Sequence, residues 1–372
     1  MQPRAFKTAD KSIENIVFPA QIFHPAKADF DSRFLIHVLY STNVQGERID
    51  MKTVLLTGAA GFIAARTGEM LLGRGIRVVG VDNMNNFYDV RLKEHRLNGL
   101  REYKNFNFYK CNIENRVALK RLFEKYKFDA VINLAAQAGV RHSMINPFIY
   151  MATNVNGTLN LLEQCRERGV KKFVLASSSS LYAGEKMPFK ESLKVNTPSS
   201  PYAASKKAAE MIAYVYHHLH SIDVTVLRYF TTYGPAGRPD MSPFRFIKAI
   251  AEDKPIQLFG DGSQSRSFVY VDDIARGTVM ALKKVGYRVI NLGGNGSYSI
   301  NQMIRLFEKF LCKKAKIEKR AFSKIDMKAT RADISEAQKT LRWSPKVNFE
   351  QGIKRTVDWY LANKSWLSKV KM

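Results

Sequence analysis

Cysteine is scarce, with three residues in a chain of 372. Cys111, Cys165 and Cys312 form no CxxC pair and cannot all pair with one another. That argues against a disulfide framework and for free thiols in a reducing compartment. Long apolar runs are absent too. No stretch approaches the roughly 18 consecutive apolar residues that span a bilayer. The start lacks the order of basic stretch, apolar core and small-residue cleavage site that marks a secretory signal. The expectation is a cytoplasmic protein with no membrane partner. Acidic residues are the third shortage, 33 against 59 Lys and Arg, for a net charge of +26. Residues 1–50 hold six of each sign, so the whole excess lies in 51–372. The basic residues are dispersed, which describes a solvated surface better than a nucleic-acid footprint. Such a surface favours phosphorylated small molecules.

What is present is a regular alternation. Residues 1–50 show no clear periodicity and read as a disordered extension or as upstream sequence the fold does not need, with an ordered arm packed on the body as the alternative. From Met51 onward, β-type apolar runs occur at Thr53–Thr57, Arg77–Val81, Asn107–Tyr109, Ala130–Leu134, Lys172–Ala176 and Val224–Leu227. Helical patterns separate them, as in Pro147–Arg168 and Ser200–His220. Repeated β-then-α units predict a doubly wound parallel α/β sheet with right-handed crossovers over 51–233. Residues 234–372 read mainly as a smaller lobe, with 272–292 a candidate to return to the first domain.

Thr57-Gly58-Ala-Ala-Gly61-Phe-Ile-Ala64 follows the first strand and opens a helix. The first glycine permits a tight turn, the second lets backbone approach a pyrophosphate, and the small third residue lets helix pack on strand. The helix N-terminus adds unpaired N–H groups for the phosphates. Asp82 ends the second strand, 24 residues after Gly58. A carboxylate there accepts from ribose hydroxyls and repels a 2′-phosphate, which favours NAD over NADP. Gly68, inside the same helix, is off-pattern and costs up to about 1 kcal/mol relative to Ala.

Tyr-x-x-x-Lys occurs three times, at Tyr182/Lys186, Tyr202/Lys206 and Tyr360/Lys364. The spacing is useful only on a helix, where i and i+4 share a face. Gly184 and Pro188 put the first pair in a loop, and the third lies far from any hydroxyl-bearing strand. Tyr202/Lys206 opens a helix one unit after the Ser177–Ser180 run. A phenol is a poor base near pH 7, and a neighbouring ammonium favours its phenolate. His217 and His220 share a helix face, but nothing nearby completes a ligand set, so no metal is expected.

In order, Gly58-x-x-Gly61, Asn133-Leu-Ala-Ala136, the Ser178 strand, Tyr202-x-x-x-Lys206, Arg228-Tyr-Phe and Arg266-Ser-Phe-Val-Tyr-Val-Asp-Asp273 resemble the extended short-chain dehydrogenase/reductase family, over roughly Met51 to Tyr360. Asp82 to Leu97, Ala138-Gly-Val-Arg-His-Ser143 and Arg228 to Met241 are similar to the signature of UDP-glucuronate 4-epimerases within it. The resemblance implies a Rossmann-type domain with a C-terminal substrate-binding lobe, NAD as cofactor, a UDP-sugar substrate and a homodimer. It implies Ser178, Tyr202 and Lys206 as catalytic residues. Gly58, Gly61, Phe62, Ile63, Asp82, Asn83, Asn112, Leu134, Ala135, Ala136, Tyr202, Lys206 and Tyr229 would then hold the cofactor. Ser179, Ser180, Thr231 and Arg238 fall where the sugar carboxylate is cradled, and Arg266 matches a nucleotide-binding arginine.

Four residues depart from the pattern. Asn112 stands for a common Asp, Ala183 for a glycine, Ala236 for a Trp and Ser267 for an Asp. Related dehydratases and decarboxylases carry acidic residues within the positions of 178–180, where this chain has serines. The expected reaction is C4 epimerisation of UDP-glucuronate to UDP-galacturonate through a 4-keto intermediate. A 4-epimerase of UDP-glucose or an N-acetylated UDP-sugar, or another nucleotide-sugar-modifying enzyme of the family, is the alternative, and a non-catalytic dinucleotide- or nucleic-acid-binding protein the alternative class.

Overall fold

The computed structural model describes residues 51–322 and 326–371, so the expectation for residues 1–50 lies outside the described residues. The larger part runs β1 (Thr53–Thr57), α1 (Phe62–Leu72), β2 (Arg77–Asp82), α2 (Val90–Arg101), β3 (Phe106–Lys110), α3 (Arg116–Lys125), β4 (Ala130–Asn133), α4 (Gly157–Arg168), β5 (Lys172–Ser178), α5 (Pro201–His220) and β6 (Asp223–Tyr229). The remainder runs β7 (Thr231–Tyr233), α6 (Ser242–Ala251), β8 (Pro255–Phe259), β9 (Ser265–Arg266), β10 (Phe268–Tyr270), α7 (Val271–Met280), β11 (Tyr287–Leu292), β12 (Tyr298–Ser299), α8 (Ile300–Leu311), β13 (Lys316–Arg320), α9 (Ser335–Leu341) and α10 (Phe349–Ala362).

Seven strands form one parallel sheet in the order β11-β6-β5-β4-β1-β2-β3. Alternation along each strand feeds two apolar layers. Val54 and Leu56 enter one, and Leu55 enters the other. Burial on both faces explains why these strands read as continuous apolar runs. The late strand β11 pairs with β6 in this sheet, and α7 packs against α1. A third apolar layer, rich in Phe and Tyr, joins α6, α8, α10 and the β8–β13 ribbon into the smaller lobe.

Strand order reverses at β1, whose neighbours are β2 and β4. A crevice opens outside the strand ends at such a reversal, because successive crossovers leave in opposite directions. Thr57 ties the two strand ends together there. Its hydroxyl donates to Asn133 Oδ1 at 2.7 Å and accepts from the Ala135 N–H at 3.0 Å.

Two local features differ from the sequence reading. The helix read over Pro147–Arg168 is interrupted by a π-helical turn at Met151–Asn156. The turn carries Asn154, whose side chain accepts from the Gln137 N–H at 2.8 Å and donates to the Gln137 carbonyl at 3.0 Å. It also donates to Ser205 Oγ at 2.9 Å. Such bulges often accompany functional walls. Gly68 is the second. A Cβ there would lie 3.1 and 3.2 Å from methyl carbons of Leu100 and Leu56, so close packing of α1 onto β1 and α2 offsets the helical cost.

Candidate active site

The turn after β1 is shaped by steric limits. Gly58 has φ +66°, and a Cβ on it would meet the Ala135 backbone at 2.9 Å. A Cβ on Gly61 would meet the Gly58 carbonyl oxygen at 2.8 Å. Gly61 precedes α1 and offers no side-chain cap, so the helix's first N–H groups point at the crevice without a capping partner. Asp82 is buried at the end of β2, where it accepts from Met84 N–H at 2.8 Å and Ala60 N–H at 3.3 Å. Lys93 stands 3.5 Å from it and donates to Asn85 Oδ1 at 3.0 Å. Each Asp82 oxygen retains capacity for a further donor such as a ribose hydroxyl. Close backbone approach, an uncapped helix start and a carboxylate at the second strand's end fit NAD.

A cleft of about 1110 Å³, counting its open mouth, occupies this crevice. Gly58, Gly61, Phe62, Ile63, Asp82, Asn83, Asn112, Leu134, Ala135 and Ala136 line it, and so do Tyr202, Lys206, Tyr229 and Arg238. Residues as distant in sequence as Gly58 and Arg238 thereby line one cleft. Ser178, Ser179, Ser180, Thr231 and Arg266 are not in the lining. The three serines end β5 and form the turn beyond it, Thr231 opens β7, and Arg266 lies in β9 of the smaller lobe.

Tyr202 and Lys206 sit in the first turns of α5. Ser200 caps that helix by accepting from the Ala203 N–H at 3.2 Å, and Pro201 takes its first position. Proline is tolerated there because its missing N–H would have had no helical partner. Lys206 Nζ donates to the Ala176 carbonyl at 2.8 Å. Burial is the main influence on both groups. It pushes the Tyr202 phenol above its ordinary value, while a hydrogen bond with the Ser178 side chain and the Arg238 cation pull it back. The same effect brings Lys206 down to about 8 against the raising influence of Glu210. Lys206, expected to favour the phenolate, is anchored one helical turn away on that strand carbonyl, and Ser178 and Arg238 also act on the phenol. The Ser178 oxygen accepts from the Ser180 N–H at 3.1 Å, which leaves its own proton to donate.

The other Tyr/Lys spacings lead elsewhere. Tyr182 is fully buried, donates to Asn291 Oδ1 at 2.8 Å and accepts from Arg228 at 2.8 Å. Tyr360 is buried in the small lobe. His217 Nδ1 lies 2.8 Å from the Ile222 carbonyl, an ordinary contact at the end of α5.

Sequence reasoning gave no role to Arg96, which the fold makes central. Its guanidinium donates to the Ala60 carbonyl at 3.2 Å, Tyr88 Oη at 2.7 Å, the Ala236 carbonyl at 2.9 and 2.7 Å, and the Gly237 carbonyl at 3.2 Å. It clamps the glycine turn to the loop bearing Arg238. Lys93 was missed as well. Both follow Asp82 within the quoted motif, and their three-residue separation, which puts them on one face of α2, was the available signal.

A UDP-glucuronate 4-epimerase of Thermodesulfobacterium geofontis is 57% identical over 319 residues, covering 86% of this chain and 99% of that protein. A solved structure of UDP-glucuronic acid 4-epimerase from Bacillus cereus, in complex with UDP-glucuronic acid and NAD, matches with a TM-score of 0.79 at 38% identity. It covers 84% of this chain and 99% of that one. The UDP-glucose 4-epimerase of Thermotoga maritima with UDP-glucose matches with a TM-score of 0.77 at 30% identity, over 84% and 99% of the two chains. A family model matches residues 54–293, and the chain belongs to the NAD dependent epimerase/dehydratase family.

Proposed function

We propose that this protein interconverts UDP-glucuronate and UDP-galacturonate by inverting C4 of the sugar, with NAD bound throughout. The observation that carries the reading is the meeting of Tyr202, Lys206 and Arg238 in one cleft at the sheet's reversal point, with Ser178 ending the neighbouring strand β5. Bound NAD supplies an acceptor that takes a hydride from C4 and returns it, so no net oxidation results. Tyr202 removes the proton of the 4-hydroxyl and later restores it. Ser178 donates to the reacting oxygen and fixes its position. Lys206, anchored on Ala176, would donate to the ribose of a bound cofactor and supply positive charge one helical turn from the phenol.

The 4-keto sugar bears a carboxylate two carbons from its ketone and is prone to lose CO2. Ser179, Ser180 and Thr231 hold that carboxylate through neutral donors, with Arg238 as the cationic partner. Holding it so keeps the C–C bond misaligned for decarboxylation. Arg266 binds the nucleotide from the smaller lobe. The active form is a homodimer. Its support is an apolar stripe, Met211, Val215 and Leu219 on α5 beside Leu159 on α4, left exposed on two helices that pack together. The setting is the reducing cytoplasm, in keeping with three unpaired cysteines.

The test is chromatography of products after incubating the purified protein with NAD and UDP-glucuronate. UDP-galacturonate without accumulation of reduced cofactor is expected. Turnover of UDP-glucose alone, or release of a pentose nucleotide, would overturn the reading.

A further inference from the structure

We infer that Asp240 is an internal competitor for the sugar carboxylate and sets how strongly the site holds a charged sugar. The inference rests on the function proposed above. Arg238 Nε donates to Asp240 Oδ1 at 3.0 Å, and Arg238 Nη2 donates to Asp240 Oδ2 at 2.6 Å. This is the parallel two-bond fork by which a guanidinium grips any carboxylate. The same Nη2 reaches the Ala138 carbonyl at 3.3 Å, and the guanidinium lies 5.7 and 5.9 Å from the rings of Phe87 and Tyr88. Arg238 is therefore held at the wall beside Tyr202 with its Nε/Nη2 edge already filled.

Arg238 lines the cleft, whereas Asp240 does not. The acid, two residues further along the chain, engages the cation from outside the lining. A uronic-acid nucleotide approaching Arg238 must share the guanidinium with Asp240 or displace it. In either case it meets a like charge. A neutral hexose meets no such opposition, and the UDP portion is bound by other groups. Asp240 thus weakens retention of the charged sugar, which allows product with the same carboxylate to leave.

Asp240→Asn keeps the shape and one acceptor while removing the charge. The pair is partly exposed, with side-chain exposures of 19% and 34%. Loss of its competition is expected to lower KM for UDP-glucuronate about twofold to fivefold, the range of such ion pairs. Inhibition constants for UDP-glucose and for UDP should stay where they are, and Asp240→Ala should move KM in the same direction. A KM that is unchanged or raised in both variants would overturn the inference, as would an equal shift for all three ligands. If the unmodified protein makes no product from UDP-glucuronate, the proposed function itself fails. Normal turnover with an unmoved KM defeats only the role of Asp240.

Discussion

Glu210 on α5 and Arg228 on β6 face each other as a doubly bonded ion pair, 2.9 and 2.7 Å between heavy atoms, each side chain only 3% exposed. Glu210 also accepts from Ser177 Oγ at 2.6 Å, and Arg228 donates to Tyr182. The pair joins α5, β5 and β6 directly beneath Tyr202 and Lys206. Breaking it by Arg228→Met leaves a carboxylate buried without its cation and should cost about 3–5 kcal/mol. Urea unfolding should show a smaller loss for the double variant Glu210→Gln/Arg228→Met than for Arg228→Met alone.

Removing the chemistry should leave binding in place. Tyr202→Phe deletes the proton-transferring oxygen, and Lys206→Met deletes the cation and its bond to Ala176. Each is expected to lower kcat by about 10²- to 10⁴-fold, the usual worth of a positioned acid–base group. KM for UDP-glucuronate should change far less in steady-state assays.

Buried lysine gives the stability a definite pH sign. Burial lowers Lys206 to about 8, and Lys172 to about 8 despite its bond to Asp223. An unfolded lysine titrates near 10.4, so between pH 8 and 10 the unfolded chain binds protons that these sites do not. Their contribution therefore rises with pH across that window and is lost as pH falls through 8. Denaturant midpoints measured from pH 8 to 10 should rise less steeply for Lys206→Met than for the unmodified protein.

Cofactor binding should respond to two single changes. Gly58→Ala forces a side chain into left-handed backbone, at about 1–2 kcal/mol, and against the Ala135 backbone as well. Loss of thermal stability and of NAD affinity is expected together. Asp82→Ala removes a charged acceptor and leaves Lys93 without its carboxylate. NAD affinity should fall about tenfold to a hundredfold, with NADP gaining relative to NAD in fluorescence titrations.

The oligomer has a simple probe. Val215→Glu/Leu219→Glu places two charges on the exposed stripe of α5, away from the cleft. Sedimentation should shift from dimer to monomer, and an unchanged mass would remove the support for assembly through these helices.

The parts of the site readable from sequence are those made by short-range geometry. Gly58, Gly61 and Asp82 announce themselves because a turn, a helix start and a strand end have fixed spacings. Tyr202 and Lys206 do so because one helical turn separates them. The sheet was equally plain, since burial on both faces writes apolar runs. Arg96 was not, because its carbonyl partners at 236 and 237 lie 140 and 141 residues away. The Glu210–Arg228 pair left no sequence signal, because partners 18 residues apart meet only when β6 is set beside α5. The π-helical turn was hidden because its cause, Asn154 reaching the Gln137 backbone, is a tertiary bond with no periodic trace. Ser179, Ser180, Thr231 and Arg266 rested on resemblance alone.

Asn154 has a consequence for how the molecule comes apart. One amide grips both main-chain groups of Gln137 in the cleft wall and the Ser205 hydroxyl three residues beyond Tyr202. Neither wall nor helix can loosen without releasing the other. The two segments form a single cooperative unit, whose amide hydrogens should exchange with deuterium at a common rate. Warming should therefore extinguish the grip on the dinucleotide and the order of the tyrosine-bearing helix in one event.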